Sequence, residues 1–98
     1  MTLPADLSAQ VVALQAAVAA AYPVAQAGAP TVKTLQAQAR VLVQAMDAAI
    51  TTYDPSAIDT STAAGVQAYI AAAETQTSIA GARGYVGRVL SNLDQVPA

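Results

Sequence analysis

The sequence predicts an all-α protein in which three helices run up, down and up within a single domain that spans residues 1–98. Three observations point to this fold. Apolar residues recur at alternating steps of three and four, neither strand-like alternation nor a hairpin turn is visible, and two breaks marked by proline divide the chain. We expect helices over residues 4–22, 31–53 and 62–93, joined by loops of roughly eight residues.

The first helix is expected to begin near Pro4, because proline is tolerated in a first helical turn, and Asp6 suits the positive end of the helix dipole. Pro23 restricts the conformation of the residue before it, so the helix should end about Tyr22. A single apolar face with steps of four and three comprises Leu7, Val11, Leu14, Val18 and Ala21.

The second helix carries the longest uninterrupted apolar pattern in the chain. Thr31 is the expected N-cap, and Asp54 with Pro55 ends the helix. Val43 and Ile50 widen the apolar face toward a third helix. The pattern has the 3-4-3-4-3-4 spacing of a two-helix seam and comprises Val32, Leu35, Ala39, Leu42, Met46, Ala49 and Tyr53.

The third helical pattern begins at Thr62, and its phase slips between Glu74 and Ser78. Three glycines follow at residues 81, 84 and 87, and each costs about 1 kcal/mol relative to alanine inside a helix. We favour one long helix that can kink near Gly81 over two helices broken there. The chain should fray from about residue 94. The apolar positions of the pattern are Val66, Ile70, Ala73, Ile79, Val86, Leu90 and Leu93.

The composition predicts a protein that packs against others. The chain has 26 alanines among 98 residues, and only 10 % of its residues are charged, with a net charge of −2. Ordinary soluble domains carry about 25 % charged residues. The exposed faces must therefore consist mostly of Ala, Gln, Thr and Ser, which repel neighbouring molecules weakly. We expect partners that are copies of this chain or a larger protein scaffold.

The same composition argues against most other functions. The chain contains no histidine or cysteine, so a catalytic triad, a thiolate nucleophile or a typical zinc site cannot be assembled, and we expect no enzymatic activity, metal or cofactor. The four basic residues are not clustered in the sequence, so they do not predict a positively charged surface that could bind nucleic acid. The uncharged segment 7–32 contains three glutamines and Pro23, and the residues before it are not basic, which argues against a membrane span or a signal peptide.

Two groups of residues are candidates for a partner interface. Glycines at positions 81, 84 and 87 would open a shallow groove where another backbone can approach, although a flexible break between helices explains them equally well. Lys33 and Arg40 lie toward the N-terminal end of the second helix, where positive charge opposes the helix dipole. A partner that brings acidic groups to them would explain this placement, and so would long side chains that are simply solvated. Residue types enriched at interface hot spots surround the glycines, namely Arg83, Tyr85 and Arg88.

In its charge-poor helices rich in Ala, Gln and Thr, as in the segment Thr34-Leu-Gln-Ala-Gln-Ala-Arg-Val-Leu-Val-Gln-Ala-Met46, the chain resembles small helical structural proteins of tailed-bacteriophage particles. The resemblance implies a building block of a capsid, connector or tail, and a location in a virion or in the cytoplasm. The expected function is that of a non-enzymatic assembly subunit. The alternative is an amphipathic coat on a lipid or storage-granule surface. A small-molecule or peptide-binding bundle is a third hypothesis, for which the sequence offers no polar constellation.

Overall fold

The computed structural model describes residues 3–96, and it confirms the all-α arrangement of three packed helices. Helix α1 spans Ala5–Ala20, α2 spans Ala29–Thr52 and α3 spans Ala63–Asp94, with no strand in the described part of the chain. The molecule is elongated, with extents of 56 × 18 × 14 Å and a radius of gyration of 16.6 Å. A compact domain of this length has a radius of gyration of about 13 Å.

Two glutamines define the antiparallel packing of α2 and α3. The Gln36 side-chain amide donates a hydrogen bond to the Leu93 carbonyl at 3.1 Å, and that of Gln76 donates to the Ile50 carbonyl at 3.0 Å. Leu93 and Ile50 lie in the last turns of α3 and α2, where backbone carbonyls lack the partner four residues on, and the Leu93 carbonyl also accepts the N–H of Val96 at 3.1 Å. Each helix therefore caps the carboxyl end of the other.

The core lies along the predicted apolar seam of α2, between α1 on one side and the second half of α3 on the other. Its largest fully buried side chains come from all three helices, which shows that the domain has one shared core. The predicted α1 face is confirmed, since its two leucines are buried and its other members are half-buried against the core. The buried cluster comprises Leu7, Leu14, Leu35, Ala39, Leu42, Met46, Ile79, Val86 and Leu93.

The loop between α1 and α2 differs from the expectation. The predicted N-cap Thr31 lies inside α2, which begins two residues earlier and takes Gly28 as its N-cap. Gly28 has a φ of 91°, in the left-handed region that residues with a Cβ atom rarely adopt, so glycine starts the helix by letting the chain turn. Pro30 then occupies the first helical turn, which proline favours. The α1 helix ends at Ala20, slightly before the predicted end.

Short side chains organise the connection between α2 and α3. The backbone N–H of Ser56 donates to the Asp54 carboxylate at 3.0 Å, and that of Ser61 donates to the Asp59 carboxylate at 2.9 Å. The hydrogen bonds from Ser61 hold the pKa of Asp59 below its usual value. The Thr62 hydroxyl then accepts the N–H of Gly65 at 3.0 Å, which makes Thr62 the N-cap of α3.

The third helix is continuous through all three glycines and ends at Asp94. Gln95 follows it as the C-cap, and the rest of the segment expected to fray includes Pro97 and Ala98, which lie outside the described residues. Since Gln76 contacts the last turn of α2, the residues of α3 before it extend beyond the end of α2, where they meet the short 3₁₀ turn at Pro55–Ala57 and, at Gly65, the backbone of Asp59. Within the described chain, residues 63–78 contribute no fully buried side chain.

We predict that Gly65→Ala destabilises the fold, because a Cβ atom at this position would collide with the backbone carbonyl of Asp59. The loop around Asp59 would have to shift to separate its carbonyl from the new Cβ atom. The free energy of unfolding should fall by more than about 1 kcal/mol, as measured by chemical denaturation followed by circular dichroism. An unchanged or higher stability would contradict this close approach.

We predict opposite outcomes for two isoleucines of α3. Ile79 is fully buried in the core, so Ile79→Ala should lower the free energy of unfolding by about 2–4 kcal/mol. Ile70 is 50 % exposed, so Ile70→Ala should cost less than about 1 kcal/mol. The measurement is chemical denaturation of both variants at a concentration low enough to keep the chain monomeric. Equal losses would show that the first half of α3 is covered within the monomer.

Candidate assembly interface

Two of the predicted interface arginines pair with acids of their own chain. Arg40 lies 3.1 Å from the Asp94 carboxylate, and Arg83 reaches both oxygens of Asp47 at 2.9 and 3.5 Å. The hydrogen bond to Asp47 raises the pKa of Arg83 above its usual value. In both pairs α3 supplies the counter-charge to an α2 side chain that opposes the α2 dipole, so an external acid is not needed to explain Arg40. Both pairs are exposed, and pairs of this kind contribute about 0–1 kcal/mol.

The three glycines of α3 have different surroundings. A Cβ atom on Gly81 or Gly84 would have no atom within 4 Å, because both residues face solvent. Neither glycine is required by packing inside the described chain. Gly87 is different, since its Cβ would lie 3.3 Å from a guanidinium nitrogen of Arg83, whose side chain crosses this position on its way to Asp47. The structure therefore brings Gly87 and Arg83 together and leaves the other two glycines uncovered.

The remaining predicted interface residues are exposed. Tyr85 and Arg88 lie beside Gly84 on the outer side of α3, whereas Lys33 lies near the start of α2, away from them. The structure thus separates the predicted set into an α3 group and an isolated lysine. Within the α3 group, Gly81, Gly84, Tyr85 and Arg88 share the exposed outer side, whereas Arg83 and Gly87 lie toward α2.

Most of the surface is small, apolar and uncharged. Fourteen alanines are exposed in the described chain, and two valines on α1 and α2, Val12 and Val41, are about 60 % exposed. Four of the ten charged residues neutralise one another in the two interhelical pairs. The outer faces of α1 and α2 therefore have little electrostatic protection against association.

A wide surface groove lies at the closed end of the α1–α2 hairpin. It has a volume of about 810 Å³, and its polar side chains are those of Tyr22, Gln26, Thr31, Thr34 and Gln38. No charged residue lines it. The groove is wide open to solvent, and it offers a ligand few directed contacts, whereas small-molecule sites enclose most of the ligand surface.

The structure also identifies surface residues that sequence reasoning did not assign to an interface. Val66 and Ile70, expected in the same apolar pattern as the α3 core positions, are 42 % and 50 % exposed. At 100° per residue they lie roughly 150° or more from Ile79 around the helix. The signal was present in the sequence as the phase slip between Glu74 and Ser78, which moves the apolar pattern from one side of α3 to the other.

Comparisons with known proteins identify no relative. No protein-family model, no curated protein and no solved structure shows a significant match to this chain. Within residues 3–96, no helix is both long and apolar enough to cross a membrane. The same residues contain no cluster of three or more side chains suited to hold a metal ion.

We predict that Gly81→Ala and Gly84→Ala each stabilise the isolated monomer. Both sites are open, exposed and inside a continuous helix, so alanine should raise the free energy of unfolding by about 0.5–1 kcal/mol per site. Thermal unfolding at low protein concentration measures the effect. Gly65→Ala is the matched control, since the same substitution should there have the opposite sign. A loss of stability at both outer sites would show that the glycines serve the monomer.

Proposed function

We propose that this protein is a non-enzymatic structural subunit that packs through alanine- and glycine-rich helical faces against copies of itself within a larger assembly. One observation carries the proposal: the fold uses its large aliphatic side chains in one thin core and leaves long, uncharged helical faces in water. Such faces bury additional apolar surface when a neighbouring helix covers them. The resemblance in composition to structural proteins of tailed-bacteriophage particles supports a virion as the setting.

The exposed glycines support an assembly role over a purely solvated monomer. Gly81 and Gly84 each cost helix stability, and nothing inside the described chain requires them. A glycine in an exposed helix is useful where a second backbone comes close, because the missing side chain shortens the distance between helix axes.

An amphipathic coat on lipid or granules is the competing function. Coat helices need an apolar face that is free to enter the surface. In this fold the strongest apolar face, that of α2, already packs against α1 and α3. The packing of α2 therefore favours protein partners over a lipid or granule surface. The apolar side chains still available to such a surface are the exposed Val66 and Ile70 of α3.

Size-exclusion chromatography with light scattering tests the proposal on the full chain. We expect a mass above the 9.8 kDa of one chain at about 100 µM, where an interface of about −8 kcal/mol is largely occupied. The association should persist at high salt, because it depends on apolar contact and not on charge. A monodisperse monomer across the whole concentration range would remove the support for self-assembly.

A further inference from the structure

The outer side of α3 carries a continuous stripe of uncharged residues, here called the outer stripe. Its members follow one another at steps of four, three, four, four and three, which keeps them on one side of the helix. The stripe extends about 27 Å along the helix axis. It comprises Val66, Ile70, Ala73, Thr77, Gly81 and Gly84.

The outer stripe faces away from both neighbouring helices. It lies opposite the buried positions Ile79, Val86 and Leu93, which belong to the core. Its members are exposed, apart from Ala73, which is half-buried. A shallow depression of about 390 Å³ lies at its middle, lined by Ala73 and Thr77 of the stripe and by the neighbouring Glu74 and Ser78. Nothing in the described chain covers this surface.

Bulky and small residues are arranged symmetrically about the middle of the outer stripe. The two large side chains, Val66 and Ile70, lie at one end, and the two uncovered glycines, Gly84 and Gly81, lie at matching positions beyond the midpoint, to within one residue. A second copy of α3 that runs antiparallel would place Val66 against Gly84 and Ile70 against Gly81. Each contact then occurs twice, as required at a two-fold axis.

We propose that the outer stripe is the interface of an antiparallel homodimer, in which the large side chains of each copy fill the glycine positions of the other. This inference rests on the proposed assembly function and names its partner and surface. It accounts for the glycines, for the exposed isoleucine and for the change of face along α3 with one contact.

The surface area of the chain agrees with an interface of this size. The accessible surface is 5909 Å² at a mass of 9.8 kDa. A compact monomer of that mass exposes roughly 5,200 Å², so the excess is roughly 700 Å². Each partner of a stable protein complex buries about 800 Å². In the first half of α3, every residue from Ala63 to Ala71 except Gly65 is exposed.

The charges are compatible with the same arrangement. The outer stripe itself has no charged residue, and the one charged side chain beside its middle is the exposed Glu74, whose two copies lie at the edge of the contact near the two-fold axis. Arg88 lies one turn beyond Gly84, and in the antiparallel dimer it approaches the loop before α3 of the second copy. That loop carries the exposed carboxylate of Asp59. The two ends of the stripe are therefore of opposite charge.

Sedimentation equilibrium of the full chain and its variants tests the inference. Ile70→Glu should weaken dimerisation at least about tenfold, because a charge would be buried against glycine. Val41→Glu is the matched control, since Val41 is also an exposed β-branched residue, at 61 %, and lies on α2 away from the stripe. It should change the dimer dissociation constant less than about threefold. Circular dichroism verifies that both variants remain helical.

A size exchange tests the antiparallel register. Val66→Ala and Gly84→Val should each weaken the dimer, and the double variant should recover most of the affinity, because residue 66 of one copy faces residue 84 of the other. Additive losses would overturn the register and the inference.

The remaining outcomes separate the inference from the proposed function. If the wild type is oligomeric and Ile70→Glu leaves its mass unchanged, assembly stands and the outer stripe is not the interface. If the wild type is monomeric at all concentrations, both fail. Flotation of the monomer with phosphatidylcholine vesicles would show that the stripe meets lipid, which also overturns the dimer.

Discussion

The apolar seam of α2 is the constraint on which the fold depends. Leu35, Leu42 and Met46 are fully or almost fully buried, and both other helices reach the core by packing against this seam. A chain with 26 alanines has few large side chains to bury. Each Å² of apolar surface removed from water contributes only about 25 cal/mol to stability, so the large side chains matter most. Aligning the large residues of α2 along one seam lets the large residues of α1 and α3 be buried in the same core. Loss of this seam would leave neither α1 nor α3 with a partner.

The polar contacts between helices are few, and they act mainly on geometry. The two glutamine caps and the two arginine–aspartate pairs all join α2 to α3. Exposed pairs add little free energy, but each joins two specific residues and therefore disfavours sliding of one helix along the other. Four directed contacts distributed along the helices restrict that sliding. They determine how far α3 extends past α2, and therefore how much of its outer surface is left in water.

This division of α3 connects the fold to the proposed function. Its second half completes the core, and its first half has almost no neighbour within the described chain. An isolated helix of that length is marginal in water, so the segment depends on being continuous with the packed half. A second copy that covers the outer stripe would stabilise the first half directly. The same helix would then serve as core element and as assembly surface.

The sequence by itself determined the fold class, the approximate helix ranges and the core positions of α1 and α2, because the 3-4 spacing of apolar residues depends only on helix geometry. It also contained the change of face in α3, as a slip in phase between Glu74 and Ser78. Only the tertiary structure decided whether the residues before or after that slip meet the core, because this depends on the antiparallel register of α3 with α2. The partners of Arg40 and Arg83 followed from the same register, since residues more than thirty positions apart meet only after the helices pack.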